Sequence, residues 1–312
     1  MIDFFCNIYT YVSYKHAFLR KTRIEAIIRA ITRFSANIVL PLHIQCTNHI
    51  KKYALNPEIR NTAPIIVSFT SFPARINRTW LVVESLLRQT VKPDKIILWL
   101  AKEQFDGFHS LPKKILRLQS RGLEIRFVEE DIRSHKKYAY AMREYPDAII
   151  VTVDDDVFYP SHMLQYLLEA HTKHPNDVIA NITHQLQYKS SGELLSYADW
   201  KHNITLQDYS NNIFQVGVGG VLYPPHCAHP DICNAELAYR VCPFGDDIWL
   251  YAMCRLVGTS IRTSSSTFVP LPIYNLHNVS LSTENLLGRN DSQIQQITTF
   301  CIEQYGKNPF EQ

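Results

Sequence analysis

This chain lacks the features that mark membrane-spanning, secreted and disulfide-bonded proteins. No stretch approaches about 18 uninterrupted apolar residues, so no transmembrane helix is expected. The start of the chain has neither a basic n-region nor a long apolar h-region, so no signal peptide is expected. The seven cysteines are an odd number with no CxxC spacing, which favours reduced, mostly buried thiols in a cytosolic protein. The cluster of His226, Cys227, His229 and Cys233 fits no standard zinc spacing.

Positive charge is concentrated at the start of the chain. Residues 1–63 hold nine Lys or Arg and three Asp or Glu, a formal charge of +6, whereas the whole chain carries +3. Within them, residues 8–36 mix apolar and basic side chains at helical spacing, which predicts a basic amphipathic helix. Two alternatives stay open: the helix lies on an anionic membrane surface, or it packs on the body of the protein or on a second subunit. A membrane is favoured over nucleic acid, because no nucleic-acid-binding motif is visible.

Strands and helices alternate from Pro64 onward, after a stretch at 54–63 that reads as a linker. The pattern predicts strands at 65–70, 95–100, 123–128 and 149–153, and helices at about 77–89, 112–121, 136–144 and 161–172. Such an order predicts a parallel sheet with helices on both faces. In sheets of this kind, ligands bind at the carboxyl ends of the strands.

Three adjacent aspartates, Asp154, Asp155 and Asp156, end the last of these strands. Their charges repel one another unless a cation neutralises them. Side chains at i and i+2 of an extended segment point the same way, so Asp154 and Asp156 can face one oxygen-preferring ion such as Mg²⁺ or Mn²⁺. The alternative is a solvated acidic turn before the next helix, with Ser161 as its N-cap.

Four segments in chain order resemble the nucleotide-sugar-dependent, GT-A fold glycosyltransferases of bacterial surface-polysaccharide synthesis. They are the strand–helix–strand unit at 65–100 with its Ser85-Leu86-Leu87-Arg88-Gln89-Thr90, the DxD-like Asp154–Asp156, the glycine turn Gly217–Tyr223, and Gly245-Asp246-Asp247 opening a helix. The resemblance covers about residues 64–280. One departure is the second strand, which ends at Lys102 without the aspartate that reads the base in the commonest group of the family.

The resemblance implies a fold class and a domain organisation. The fold is α/β, a GT-A (Rossmann-like), mostly parallel sheet flanked by helices, with an N-terminal helical extension. The extension covers 1–63 and a single glycosyltransferase domain covers 64–312. Within that domain, 64–160 is the nucleotide-sugar half and 161–312 is the acceptor half.

The resemblance also assigns the metal and the base. The metal, Mn²⁺ or Mg²⁺, is bound by Asp156 and Asp154, and His277 on a late loop is a third candidate ligand, with a surface or packed histidine as the alternative. One of the acids Asp246 and Asp247 removes the proton of the acceptor hydroxyl, and Asp247 is the first choice. The alternative for this pair is an N-cap stabilised by the helix dipole.

Further residues are candidates for binding the two substrates. Candidates for the donor are Thr70, Ser71, Arg75, Lys137, Asp154 and Asp155, although a solvated surface role is the favoured alternative for each basic one. Candidates for the acceptor are Gly219, Gly220 and Trp200. The glycines permit close approach of a sugar to the backbone and Trp200 offers a stacking face, whereas a simple turn and core packing are the alternatives.

The sequence therefore predicts a metal-dependent, inverting glycosyltransferase. It uses a nucleotide-diphosphate-sugar donor and a glycan or lipid-linked acceptor, and it is peripheral to the inner face of the cytoplasmic membrane. The alternatives are a nucleotidyltransferase that makes nucleotide-sugars and an inactive sugar-binding scaffold. The first loop, residues 70–75, contains none of the glycines that the nucleotidyltransferase class usually has there.

Overall fold

The computed structural model of the protein describes residues 1–14, 24–48, 55, 63–205, 212–266, 268–274 and 288–311. Its helices are α1 (Ile2–Tyr14), α2 (Ile24–Thr47), α3 (Ile76–Leu87), α4 (Lys113–Leu116), α5 (Lys136–Glu144), α6 (Met163–Lys173), α7 (Ala235–Val241), α8 (Asp246–Leu256) and α9 (Asn290–Tyr305). Its strands are β1 (Ile65–Thr70), β2 (Lys95–Ala101), β3 (Leu123–Val128), β4 (Ile149–Thr152), β5 (Val157–Phe158), β6 (Val178–Ala180), β7 (Thr183–Gln185), β8 (Ile213–Gln215), β9 (Val221–Tyr223), β10 (Ile261–Thr263) and β11 (Leu271–Pro272).

Seven strands form one sheet in the order β10-β6-β9-β4-β1-β2-β3. All neighbours are parallel except β9, which runs antiparallel between β4 and β6. Two short antiparallel ladders, β11 with β5 and β7 with β8, lie outside it. Because β1, β2 and β4 are parallel neighbours, the loops that follow them leave from the same edge of the sheet.

Helices cover both faces of the sheet because the central strands are apolar on both sides. Val67 and Phe69 of β1 belong to a core shared with α3, whereas Ile66 belongs to a separate core that includes Ala141 of α5. This alternation along a fully buried strand is typical of parallel sheets. The fold class predicted from the sequence, a mostly parallel Rossmann-like α/β sheet flanked by helices, is confirmed.

One local expectation was wrong, and part of one alternative is excluded. The helix expected at about 112–121 is a short α-helix followed by a 3₁₀ turn, Arg117–Arg121, which ends at the left-handed Gly122. Ser161 is not an N-cap, because α6 begins two residues later. Its hydroxyl and its backbone N–H instead donate to the carboxylate of Asp3 in α1, at 2.8 and 2.7 Å.

The N-terminal helices pack on the body of the protein. Phe5 and Cys6 of α1 and Leu40 and Ile44 of α2 are buried in the same core as β1 and α3. α2 has 24 residues, and its most apolar window has a mean hydropathy of 1.2, with 28% of that window buried. By length and composition alone it could cross a membrane, which the sequence analysis did not expect, although core helices of soluble proteins share these properties.

Some expectations lie outside the described residues. His277 is among them, as are most of the expected linker at 54–63 and part of the helix expected at 8–36. The boundary at residue 63 and the division of the body into donor and acceptor halves stay predictions.

Candidate functional site

The three aspartates lie at the carboxyl end of β4, next to the carboxyl end of β1. The backbone N–H of Val153 donates to Ser68 of β1 at 3.2 Å, so the chain stays extended up to the triplet. The side chains of Asp154 and Asp156 are 31% and 30% exposed, whereas that of Asp155 is 6% exposed. The middle aspartate therefore points into the protein and its two neighbours reach solvent.

Arg75 neutralises part of the triplet. It precedes α3 on the loop after β1, and its Nη1 lies 2.8 Å from Asp155 Oδ1 and 3.0 Å from Asp156 Oδ2. The buried hydroxyl of Ser71 donates to the other oxygen of Asp155 at 2.5 Å. Asp155 thus ties the β1 loop to the end of β4. Ser71 and Arg75 contact aspartates here, and the donor contacts expected from the sequence stay a prediction.

Lys137 joins the two acidic motifs. It lies in the first turn of α5, and its buried Nζ is 2.9 Å from Asp154 Oδ1 and 2.7 Å from Asp246 Oδ2. The hydroxyl of Ser68 in β1 donates to the Lys137 carbonyl at 2.5 Å and holds the start of the helix against the sheet. Burial alone would lower the pKa of Lys137, but Asp154, Asp246 and Asp247 raise it well above its ordinary value, so it stays charged.

The paired acids of the second motif have different surroundings. Asp246 and Asp247 are the first two residues of α8, after Gly245 at the N-cap position. Burial would raise the pKa of Asp246, but Lys137 and His135 lower it below its ordinary value. Burial and then the negative charges of Asp246 and Asp154 raise the pKa of Asp247 to about 7. Asp247 is therefore the more basic of the two carboxylates.

One oxygen of Asp247 has no hydrogen-bond partner among the described residues. Its Oδ2 accepts the backbone N–H of Gly217 at 2.9 Å. Its Oδ1 is buried and has no hydrogen-bond partner among the residues that the structure describes. A buried oxygen without a partner is costly, so this atom is a candidate contact for a bound group.

These side chains together form what we call the acidic network: Asp154, Asp155, Asp156, Asp246, Asp247, Arg75 and Lys137. Five carboxylates face two cations, so the fully ionised network has an excess of three negative charges. Burial and then Asp155 and Asp154 raise the pKa of Asp156 to about 7, against the opposing effect of Arg75. The excess charge disfavours ionisation of Asp156.

Two carboxylates of the acidic network, those of Asp154 and Asp156, are of the ligand type that hard divalent cations prefer. In the described parts of the chain, no group of three or more His, Cys, Asp or Glu side chains could hold a metal ion. Asp154 and Asp156 supply two partly exposed carboxylates. Mg²⁺ is commonly bound by one or two protein carboxylates with substrate phosphates in the remaining positions, so two carboxylates are sufficient.

Two further expectations change with the structure. The Thr70 hydroxyl donates to the Trp99 carbonyl at 2.8 Å, inside the sheet rather than toward a nucleoside. Trp200 is 3% exposed and its Nε1 donates to the Leu195 carbonyl at 3.0 Å. Trp200 packs against Phe214 and belongs to a core, so the expectation that it stacks on an acceptor sugar was wrong.

The glycines of the second half contact the chain's own side chains. A Cβ at Gly219 would lie 2.6 Å from Ile182 Cγ1, and one at Gly220 would lie 3.0 Å from Met163 Sδ. Gly220 also has a φ of +87°, which favours glycine. Both glycines are therefore explained by packing and backbone geometry, the alternative left open by the sequence.

Sequence reasoning missed two residues of this site. Gly217 was part of the glycine segment, but nothing indicated that it faces Asp247. The Tyr159 hydroxyl accepts the Asp154 backbone N–H at 2.8 Å and donates to the Val218 carbonyl at 3.2 Å, which links the triplet to the glycine segment. A tyrosine seven residues after the end of β4 was the only local signal.

No protein-family model and no curated protein matches the chain. It is similar to the solved structure of a mannosyltransferase from Pyrobaculum calidifontis in complex with GDP-Man and Mn²⁺, at 12% identity and a TM-score of 0.47, over 90% of this chain and 77% of that one. A 4-diphosphocytidyl-2C-methyl-D-erythritol synthase from Anaerococcus prevotii matches at 14% identity and a TM-score of 0.43, over 73% of this chain and 95% of that one. A CMP:2-keto-3-deoxy-manno-octonic acid synthetase complexed with CTP matches at 12% identity and a TM-score of 0.38, over 65% of this chain and 89% of that one. At these values the neighbours carry no argument about the reaction.

Proposed function

We propose that this protein is a metal-dependent, inverting glycosyltransferase that moves a sugar from a nucleotide-diphosphate-sugar donor to a glycan or lipid-linked acceptor. The observation that carries the proposal is the acidic network, which brings a metal-type pair of carboxylates and a separate basic carboxylate to one edge of the sheet. Lys137 bridges the two motifs, so both belong to a single site.

Asp154 and Asp156 are proposed to hold Mn²⁺ or Mg²⁺ together with the diphosphate of the donor. When bound, the ion supplies charge stabilisation to the nucleoside diphosphate that leaves. Asp155, Ser71 and Arg75 position this edge, because their hydrogen bonds fix the loop after β1 against the triplet. His277 stays a candidate ligand from the sequence.

Asp247 is proposed as the base. Its unpartnered Oδ1 can accept the proton of an acceptor hydroxyl, whereas Asp246 is held by the ammonium of Lys137. Its pKa of about 7 matches a general base that works near neutral pH. The hydroxyl oxygen then forms a bond to the anomeric carbon while the bond to the diphosphate oxygen breaks on the opposite side. A single displacement of this kind inverts the anomeric configuration.

The proposed setting is the cytoplasmic face of a bacterial membrane, in the synthesis of surface polysaccharide. The support is the resemblance of the four sequence segments and the formal charge of +6 on residues 1–63. Anionic lipids attract such basic segments.

A panel of nucleotide-sugars, assayed with Mn²⁺ and with a chelator, tests the proposal. We expect metal-dependent release of nucleoside diphosphate with at least one donor, and inverted configuration by NMR when an acceptor is present. Release of pyrophosphate from a nucleoside triphosphate and a sugar 1-phosphate would identify a nucleotidyltransferase instead. Donor binding without turnover on any acceptor would identify a sugar-binding scaffold.

A further inference from the structure

Helix α2 exposes a continuous row of large apolar side chains. They recur at intervals of three and four residues, the spacing of one helix face, and each is at least 42% exposed: Ile24, Ile27, Ile31, Phe34, Ile38 and Leu42. We call this row the α2 stripe. The α2 stripe contains no charged residue. It nevertheless lies on the side of the helix that faces away from the protein, where charged residues are usual.

The side of α2 that faces the protein is, by contrast, partly polar. Asn37 is buried there, where its Nδ2 donates to the Pro272 carbonyl at 3.0 Å and its Oδ1 accepts the Tyr274 N–H at 2.7 Å. Arg33 donates from Nε to the Tyr274 hydroxyl at 3.0 Å. A surface helix in water usually has the opposite arrangement, with its apolar face buried and its polar face outside.

We infer that the α2 stripe inserts into one leaflet of an anionic phospholipid bilayer, with α2 lying in the plane of the membrane surface. This inference rests on the proposed function, which gives the enzyme a lipid-linked acceptor. The bilayer would then be the surface from which the enzyme takes that acceptor. A large exposed apolar patch marks an interaction site, and a bilayer interface is apolar where the stripe would lie.

Charge selects a bilayer over a second copy of the chain. In the sequence, Lys15, Arg20, Lys21 and Arg23 precede α2, and Lys51 and Lys52 follow it. Both ends of the apolar helix are thus flanked by basic residues, which complement anionic headgroups. A second copy would offer the stripe the same basic flanking sequence and no complementary acidic one, which disfavours that interface.

The packing of α2 favours a helix that lies on the membrane over one that crosses it. Ala36, Leu40 and Ile44 are fully buried in the core of the protein, and Asn37 is hydrogen-bonded to the β11 segment. A crossing would remove these side chains from the core and leave the Asn37 amide without partners in lipid. Insertion of the stripe alone keeps every one of these contacts.

The same helix contacts the edge of the candidate site. Pro272 and Tyr274, which Asn37 binds, flank Ile273, and the Ile273 N–H donates to the Asp156 carbonyl at 2.7 Å. In α1, Asp3 binds Ser161 of the loop that follows the triplet. The helices next to the proposed membrane surface are therefore connected to the acidic network by short contacts, so docking brings this edge of the sheet toward the bilayer.

Sedimentation of the full-length protein with vesicles tests the inference. The vesicles are phosphatidylcholine with and without phosphatidylglycerol. The test variant is Ile31→Gln, Phe34→Gln, Ile38→Gln, which replaces three exposed side chains and keeps helix formers. A matched control is Phe108→Gln, Val257→Gln, Ile302→Gln, whose residues are 47%, 48% and 50% exposed elsewhere on the surface.

We expect the stripe variant to lose at least about tenfold in its partition coefficient on anionic vesicles, whereas the control variant partitions like the wild type. Binding of the wild type should be weakened but not abolished by high salt, since apolar insertion is not screened. Equal partitioning of the stripe variant and the wild type would overturn the inference. So would a wild-type dimer in light scattering that the stripe variant abolishes, because the stripe would then cover a second copy.

A depth measurement supplies an independent result. The four native tryptophans are all buried, so Phe34→Trp places a reporter on the stripe and Phe108→Trp places one off it. Lipids brominated in their acyl chains should quench the first reporter and not the second. Equal quenching of both would overturn the inference. Neither the sedimentation nor the quenching measurement depends on turnover. If the proposed reaction is wrong, these two results stay the same and only the donor assay changes.

Discussion

Gly217 and Asp247 are in direct contact: the backbone N–H of the glycine donates to Oδ2 of the carboxylate, and a Cβ at 217 would lie 2.6 Å from Oδ1. The proposed base is therefore held by a residue that leaves room for its second oxygen. This contact joins the glycine segment before β9 to the first turn of α8, two parts of the chain that are 30 residues apart.

Replacing this glycine should impair the base without affecting the donor. In Gly217→Ala the added methyl group displaces the Asp247 carboxylate, so we expect kcat to fall by roughly tenfold or more, while donor affinity by calorimetry stays near that of the wild type. Gly192→Ala is the control, because no atom lies within 4 Å of that Cβ and any effect reports backbone strain alone. A wild-type kcat in Gly217→Ala would argue against Asp247 as the base.

The two acids of the second motif should respond differently to neutralisation. We expect Asp247→Asn to lower turnover by roughly a hundredfold or more, the range for loss of a general base, with donor binding intact. In the wild type, the base must be deprotonated, so kcat should rise as the pH rises through about 7, in line with the raised pKa of Asp247. Retention of the anomeric configuration would show that the proposed mechanism is wrong. An inactive Asp246→Asn variant together with an active Asp247→Asn variant would show that Asp246, not Asp247, is the base.

The raised pKa of Asp247 also predicts the pH dependence of stability. The carboxyl ionises at a pKa of about 4 in the unfolded chain and about 7 in the folded one, so its contribution to stability is present below the lower pKa and is lost as the pH rises to the higher one. In metal-free buffer, the Tm of Asp247→Asn relative to the wild type should increase between about pH 4 and pH 7. A difference that is constant over this range would contradict the assigned pKa.

Adjacent lysines offer a matched test of the acidic network. Lys136 and Lys137 are both buried, but Lys136 pairs with Asp131 while Lys137 bridges Asp154 and Asp246. We expect Lys137→Met to lower the free energy of unfolding by about 3–5 kcal/mol, the cost of leaving buried carboxylates without their cation. Lys137→Met should also abolish metal-dependent donor binding in calorimetry, whereas Lys136→Met should affect stability alone. Loss of donor binding in both variants would contradict a specific role of Lys137 in holding the acidic network for the donor.

Within the triplet, substitution of Asp156 should affect donor binding, whereas substitution of Asp155 should affect the stability of the fold. We expect Asp156→Asn to abolish Mn²⁺-dependent donor binding without lowering Tm, because that side chain is partly exposed and its pKa is raised to about 7, so its ionised form does not stabilise the fold. Asp155→Asn should lower Tm, because it weakens the hydrogen bonds of a buried carboxylate to Ser71 and Arg75, and should keep metal-dependent binding. Wild-type donor affinity in Asp156→Asn would rule out the metal assignment.

The sequence was sufficient for most strands and helices of the first half of the body, up to the acidic triplet. β1, β3 and α5 have the expected bounds, and β4 ends at the acidic triplet as expected. These features are local: runs of β-branched residues favour extended chain, apolar periodicity marks helices, and parallel order follows from their alternation. The position of the triplet at a strand end then follows from chain order alone.

Only the tertiary structure decided what the side chains of the site contact. Arg75 and Lys137 pair with aspartates far along the chain, Trp200 is buried, and Gly217 rather than Gly219 faces the proposed base. The basic pattern of the N-terminal residues suggested a charged outer face, yet α2 turns apolar side chains outward and binds the protein through Arg33 and Asn37. Such outcomes depend on which surfaces meet across the fold, and no local propensity determines that, because burial and charge pairing are set by neighbours that are distant in sequence.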